Sequence, residues 1–313
     1  MDNIELVPVF TGPLERFPAS PEAPEGVKMV QWQDDPGGFV DFHLDVVYDE
    51  RDGETLCLQI LLPLEAPFPF GQPPKKRPLI VYVPGSAWRR QMPKMMIAPM
   101  MKYCRHRFAV AIVQYRPSDV APFPAQIEDA KTAIRFMRKN AERYQIDPER
   151  VILFGDSSGG HTAVLAGITG DGLLDNGAYG EYSCKVNCIV DFFGPTDIAR
   201  MNGYPSMMDH VSPDSPEGMF LGGVNVLENL DLAEKTTPMY YLSREKAVPP
   251  ILILHGDRDE LVPFNQSVRL YEKLRELGKE VEMYKLLGAT HGVGGFHGEQ
   301  ARRTVVEFIN RYI

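Results

Sequence analysis

Val151-Ile152-Leu153-Phe154-Gly155-Asp156-Ser157-Ser158-Gly159-Gly160-His161 is the stretch that decides how this chain is read. Four apolar, mostly β-prone residues run into Gly-x-Ser-x-Gly, and the small-residue run Thr162-Ala163-Val164-Leu165-Ala166-Gly167 follows. The pattern predicts a buried strand, a sharp turn and a helix start in one line. To lift a serine hydroxyl above the end of a sheet, the backbone must reverse abruptly and hold that serine in a strained conformation. Gly155 and Gly159, two residues before and two after, would let strand and helix approach without Cβ clashes. A chance Gly-x-Ser-x-Gly is common in unselected sequence; the strand before it and the helix after it favour the functional reading.

Working outward, the same strand–helix rhythm extends in both directions. Upstream, residues 79–83 read as an apolar strand, 92–106 as a helix with several methionines on its inner side, and 108–114 as the next strand. Residues 124–144 carry Ile127, Ala130, Ala133, Ile134, Phe136 and Met137 at helical spacing, and Asp147-Pro148 closes that connection. Downstream, strands are predicted at 188–193, 250–254 and 281–287, with amphipathic helices over 264–278 and 298–313. Residues 42–48 and 55–64, joined by Asp49-Glu50-Arg51-Asp52-Gly53, read as a hairpin extending one edge in antiparallel fashion. The expectation is an α/β fold: a mostly parallel eight-stranded sheet flanked by helices, with 39–313 as one domain.

Three segments break the rhythm. Residues 1–38, rich in Pro, Glu and Gly, read as an extended N-terminal arm anchored by Trp32, which either lies over the core or contributes to an oligomer contact such as that of a homodimer. Residues 66–74 read as a Pro-rich loop. Residues 199–248 are too long for a structureless loop and read as a partly helical cap. Its Met201, Tyr204, Met207, Met208, Met219, Phe220, Met239, Tyr240 and Tyr241 either line an acyl or alcohol pocket or pack the cap onto the core.

The totals narrow the classes. The 313 residues are 44% hydrophobic and 24% charged, an ordinary globular balance. Net charge is −9, from 42 acidic against 33 basic residues, which argues against a nucleic-acid or anionic-membrane surface. Cys57, Cys104, Cys184 and Cys188 show no zinc-like pairing and read as plain thiols, so no metal is expected. Met1-Asp2-Asn3-Ile4-Glu5 has neither a basic nor an apolar leader region, and no run reaches the length of a membrane span; a soluble cytoplasmic protein is the expectation.

A serine hydroxyl is a poor nucleophile at neutral pH and needs a base within hydrogen-bond reach, itself oriented by a carboxylate. In folds of this kind the partners come from loops at the carboxyl ends of later strands, in the order Ser, Asp, His. His255-Gly256-Asp257-Arg258-Asp259-Glu260-Leu261-Val262-Pro263 follows the strand at 250–254, and Gly288-Ala289-Thr290-His291-Gly292 follows that at 281–287.

With these motifs in place, the chain from about residue 40 onward resembles an esterase of the α/β-hydrolase superfamily, close to the hormone-sensitive-lipase-like and acetyl/feruloyl-esterase-like branches. In the pattern His-Gly-x-x-Asp-x-x-Val-Pro, the family acid maps to Asp259, with Asp257 and Glu260 as rivals. The family base maps to His291, and its rival His297 would face solvent or the pocket rim. His161 reads as a packing residue, His255 as a support of the acid loop, and His43, His106 and His210 carry no pattern. Related esterases place His-Gly-Gly-Gly-Trp after the strand at 79–83, where this chain has Pro84-Gly85-Ser86-Ala87-Trp88. The resemblance thus implies oxyanion donors on the backbone N–H groups of Ser86, Ala87 and Ser158. Peptide donors survive replacement of Gly by Ser or Ala, but the added Cβ atoms narrow the pocket against bulky, branched alcohols. Trp88 would support this loop, and Asp156 would anchor the elbow; both are candidates for the pocket wall.

The resemblance implies a serine carboxylesterase that forms an acyl-enzyme on Ser157, without metal or organic cofactor. Its substrate would be a small ester with an acetyl or hydroxycinnamoyl group, such as a plant-derived acylated saccharide. A serine exopeptidase of the prolyl-oligopeptidase-like type shares the triad and the acid-loop pattern, but there is no room here for its large access-restricting domain. A non-catalytic small-molecule receptor on the same fold is a third reading; it would be expected to have lost the nucleophile or the base.

Overall fold

The computed structural model describes residues 8–13, 16–31, 39–64 and 76–313. Its centre is a single eight-stranded sheet in the order β1-β2-β4-β3-β5-β6-β7-β8. β1 (Phe39–Arg51) and β2 (Glu54–Leu64) form the antiparallel hairpin, and β2 runs antiparallel to β4 (Ala109–Val113). From β4 onward the ladder is parallel through β3 (Arg77–Val83), β5 (Ile146–Asp156), β6 (Cys188–Phe192), β7 (Ile251–Gly256) and β8 (Val281–Leu286). All five residues of β4 and of β6 are buried, as strands covered on both faces require.

The helices cover both faces. One apolar layer joins α2 (Ala125–Lys139) and α3 (Ser158–Thr169) to the sheet through Ile127, Ile134, Leu153 and Leu165; the other joins α1 (Ile97–Cys104) and α7 (Glu299–Ile309) through Tyr103, Phe154, Phe192 and Phe308. A third cluster packs α6 (Asn265–Glu276) through Leu270 and Leu274 onto Ile251 and Ile253. No helix of the described residues is long and apolar enough to cross a membrane.

Some expectations are corrected here. α1 is eight residues long, because Pro93 opens a 3-10 turn over Pro93–Met96 in front of it. Met92, Met95 and Met101 are therefore exposed and only Met100 is buried, instead of an inner methionine face. β5 begins at Ile146, not Val151, so Asp147-Pro148 lies inside the strand; Arg77 pairs with Ile146, and a register shift before Leu79 accommodates the proline. α2 stops at Lys139 rather than continuing to Tyr144. Trp32 and the 66–74 loop lie outside the described residues. The described parts of 8–31 form no α-helix or strand.

Between β6 and β7 the chain forms short pieces: α4 (Pro216–Phe220), α5 (Leu230–Lys235) and three 3-10 turns. Ser215 caps α4 by accepting the Gly218 N–H, with Pro216 at the first helical position. The methionines and aromatics of this segment do not share one role. Met201 and Phe220 are buried in the core, Met239 and Tyr240 line a surface groove, and Met208 reaches the cavity described below.

The four cysteines are free thiols. Cys184 lies with Asp171 and Asp175 in a cluster whose ligand atoms are within 4.8 Å of one another. Arg135 already holds both carboxylates, at 2.7 Å to Asp175 and 3.4 Å to Asp171, and burial together with the Asp171 hydrogen bond pushes the Cys184 thiol up to about 12. The cluster is a buried-arginine anchor for the loop after α3.

Candidate active site

The turn between β5 and α3 is fixed by steric exclusion. A Cβ on Gly155 would meet the Gly159 carbonyl oxygen at 2.2 Å, and one on Gly159 would meet the Val83 carbonyl oxygen at 2.0 Å. Strand, turn and helix can stack this closely only with glycine at both places. Ser157 between them is held at φ 51°, ψ −129°, a conformation costly for a residue with a side chain. Its N–H donates to the Phe192 carbonyl at 2.8 Å and its own carbonyl accepts from His161 N–H at 3.1 Å, so the neighbouring strand and the helix both hold the strained residue in place.

Ser157 Oγ lies 3.0 Å from His291 Nε2, and His291 Nδ1 lies 2.8 Å and 3.0 Å from the two carboxylate oxygens of Asp259. Three loops, after β5, β7 and β8, thus bring hydroxyl, imidazole and carboxylate into one hydrogen-bonded line. An ionised carboxylate only accepts, so His291 Nδ1 carries the proton and Nε2 is left to accept from the serine hydroxyl. Phe193 packs edge-on against the His291 ring at 4.8 Å between centroids and restricts its rotation.

Asp259 is fully buried, and its surroundings are those of a carboxylate kept charged. Burial alone would raise its carboxyl, but hydrogen bonds from His255 and His291 outweigh it and hold the group well below the usual carboxylate range. Asp259 Oδ1 also accepts the N–H groups of Leu261 and Val262, at 3.0 and 2.8 Å. His255 Nε2 reaches both the Val262 carbonyl at 3.0 Å and Asp259 Oδ2 at 3.2 Å, while its Nδ1 faces the Ser267 hydroxyl at 2.7 Å. The two rival acids have other partners. Asp257 Oδ1 accepts from Gly288 N–H at 2.6 Å, and Glu260 Oε2 accepts from His291 N–H at 3.1 Å; both tie the histidine loop to the acid loop.

His297 does not sit at the rim: its ring packs 6.2 Å from that of Phe192, and its buried Nδ1 has no hydrogen-bond partner. His161 is buried with Nε2 on the Thr236 carbonyl at 2.8 Å, and burial lowers it to about 4, so it stays neutral at physiological pH.

The loop after β3 carries the candidate oxyanion donors. Asp156 Oδ1 accepts from Gly85 N–H at 2.9 Å and from the Tyr82 hydroxyl at 2.6 Å, which fastens this loop to the serine turn. The Ser86 N–H donates to Ser158 Oγ at 2.9 Å, so that donor is already engaged by a side chain. This departs from the expectation of three free donors, because position 158 carries a hydroxyl. The Ser86 hydroxyl turns away to the Arg89 carbonyl at 2.6 Å and lies 2.9 Å from the Tyr115 hydroxyl. Ala87 and Trp88 both adopt positive φ, 55° and 54°, and Trp88 stacks on Phe220 at 4.3 Å between centroids with its edge toward His161.

These parts surround a cavity of ≈ 270 Å³, lined by Gly85–Trp88, Asp156–Ser158, Phe193, Pro195, Met208, His210, Pro216, Glu217, Leu261, Val262, His291 and Gly292. A larger cavity of ≈ 780 Å³ is an open surface groove beside α6, away from the serine. Two polar residues of the smaller cavity, His210 and Glu217, carried no sequence signal. They stand in the irregular segment between β6 and β7, outside any motif.

Comparison with known proteins agrees with this architecture. A family model described as BD-FAE matches residues 70–274. Esterase LipQ of Mycobacterium tuberculosis (strain ATCC 25618 / H37Rv) is 25% identical over 246 residues, covering 77% of this chain and 56% of its own length. Among solved structures, a truncated form of carbohydrate esterase from gut microbiota is 29% identical with a TM-score of 0.74, covering 90% of this chain and 98% of that one. A bifunctional GH43-CE from Bacteroides eggerthii is 31% identical with a TM-score of 0.73, covering 87% of this chain and 38% of that one. The chain spans about half the length of the curated relatives it matches, 56%, 48% and 59% of the first three.

Proposed function

The chain belongs to the BD-FAE family, and from that premise we propose that it is a serine carboxylesterase acting on short acyl esters of small carbohydrates. The observation that carries the reading is the hydrogen-bonded line from Ser157 Oγ through the His291 ring to Asp259. Ser157 attacks the ester carbonyl as His291 Nε2 takes its proton; Asp259 steadies the resulting imidazolium without accepting the proton. The tetrahedral oxyanion is met by the N–H groups of Ala87 and Ser158. Collapse returns the proton to the departing alcohol and leaves an acyl-enzyme. Water, activated by His291, then attacks the acyl carbonyl, and collapse releases the acid and restores the Ser157 hydroxyl.

The cavity of ≈ 270 Å³ beside Ser157 accommodates a short acyl group such as acetyl. The carbohydrate part of the reading is supported by the likeness to the gut-microbiota carbohydrate esterase. Labelling with a fluorophosphonate and mapping of the adduct, alongside hydrolysis of p-nitrophenyl acetate, tests it. Label on Ser157 with loss of activity is the expected result; full activity in a protein without the label would overturn it.

A further inference from the structure

The wall of the serine cavity is mostly apolar, with Phe193, Pro195, Met208, Leu261 and Val262 among its members, yet it includes the buried pair His210 and Glu217. Their side chains are 1% and 3% exposed. Ser206 fixes one side of the pair. Its hydroxyl donates to the Leu261 carbonyl at 2.9 Å and accepts from Met208 N–H at 3.1 Å, so its remaining lone pair takes the His210 Nε2–H at 2.9 Å. His210 Nδ1 then faces Glu217 Oε1 at 3.0 Å, but without the alignment of a hydrogen bond. Both Nδ1 and Glu217 Oε2 are left with no hydrogen-bond partner.

An unpaired carboxylate oxygen beside an unpaired imidazole nitrogen is a costly thing to build into an apolar wall. A neighbouring carbonyl or methyl group could not relieve it, because Oε2 needs a donor. An acetyl group and a p-nitrophenyl ring supply none; an alcohol bearing a second hydroxyl does. A hydroxyl that donates to Glu217 Oε2 would satisfy that oxygen and relieve the pair.

We propose that His210 and Glu217 form a hydroxyl-recognition subsite that selects esters of polyhydroxylated alcohols by pairing with a free hydroxyl next to the esterified one. The proposal rests on the esterase reading above and adds to it the residues that choose the alcohol. His210 and Glu217 are specificity residues and take no part in the bond changes.

The test compares kcat/KM for a mono-O-acetylated methyl xyloside with that for p-nitrophenyl acetate, in the full chain and in its Glu217→Gln and Glu217→Met variants. The ratio of the two values should fall at least ten-fold in Glu217→Met and by a smaller factor in Glu217→Gln. A ratio that stays put while both activities fall together would mean that the pair only braces the cavity wall, and would overturn the proposal; so would a ratio that stays put with both activities intact. If neither variant folds, the unaltered chain decides. Methyl xyloside should inhibit p-nitrophenyl acetate hydrolysis competitively and its per-O-methylated counterpart should not; equal inhibition by both, or by neither, refutes the subsite. Absence of any hydrolysis by the unaltered chain would count against the esterase reading instead, a result distinguishable from all of these.

Discussion

The Ser86 N–H donates to the hydroxyl of Ser158, the residue immediately after Ser157, at 2.9 Å. The same hydroxyl lies 3.4 Å from that of Tyr115, which itself donates to the Pro84 carbonyl at 3.0 Å. The two loops that would have to stay in register around the proposed tetrahedral intermediate are therefore latched by side-chain hydroxyls, and one of three nearby peptide donors is occupied in the process.

Ser158→Ala removes that acceptor while keeping the residue 158 N–H. The released Ser86 N–H is expected to turn to the oxyanion, tightening inhibition by a trifluoromethyl ketone about ten-fold, a fraction of the roughly 10²–10³ a full oxyanion donor contributes. Weaker inhibition would show instead that the latch is what aims the loop.

Asp259→Asn keeps the volume of the acid but removes the charge that His255 and His291 both face. The amide can offer an N–H where only acceptors are wanted, favouring the wrong His291 tautomer. We expect kcat for p-nitrophenyl acetate to fall roughly 10³–10⁴-fold. A loss of less than ten-fold in a folded variant would remove Asp259 from its assigned role.

Asp191, fully buried at the end of β6, gives a pH dependence of stability with a defined sign. Burial and the nearby Asp156 push its carboxyl up to about 7, against the partial relief of the Gly194 N–H. Between about 4 and 7 the folded chain keeps a proton that the unfolded chain has released, so this group lowers stability as pH rises through that window, with a ceiling of roughly 4 kcal/mol. Asp191→Asn should therefore raise the unfolding free energy by about 2 kcal/mol at pH 8 and change it little at pH 4. Urea titrations at the two pH values check this; a larger gain at the acidic one would contradict it.

Gly159→Ala places a methyl group 2.0 Å from the Val83 carbonyl oxygen, a clash between two backbones that no rotamer relieves. It should cost more than about 4 kcal/mol and give little folded protein. Gly180→Ala meets nothing within 4 Å and should fall within about 0.5 kcal/mol of the parent. Comparable thermal melts for the two variants would refute the steric account of the turn.

The succession of strands along the chain was legible because buried parallel strands are short apolar runs, and Val151-Ile152-Leu153-Phe154 or Ile251-Leu252-Ile253-Leu254 cannot be much else in this context. The approach of Ser157, Asp259 and His291 was legible for a related reason: each lies just after such a run, and the sheet brings those ends together. Boundaries fared worse where register decides them. Nothing local says that Asp147-Pro148 continues a strand; the pairing of Ile146 with Arg77 does. The methionines at 92, 95 and 101 looked inward only on the assumption of one long helix, which Pro93 interrupts. The spent Ser86 N–H could not be read, because a hydroxyl at 158 says nothing of what it will accept. His210 and Glu217 were invisible for want of periodicity, being joined through Ser206 and a five-residue helix rather than through any repeat.

The segment between β6 and β7 enters the cavity wall through Met208, His210, Pro216 and Glu217, while Ser157, His291 and Asp259, proposed above as nucleophile, base and acid, are all carried by turns outside it. On the proposed reading, reactivity and choosiness are written in separable paragraphs of the chain. A laboratory seeking new substrates could randomise the few wall positions of that one segment and leave the bond-breaking apparatus undisturbed, provided Phe220 keeps its place against Trp88.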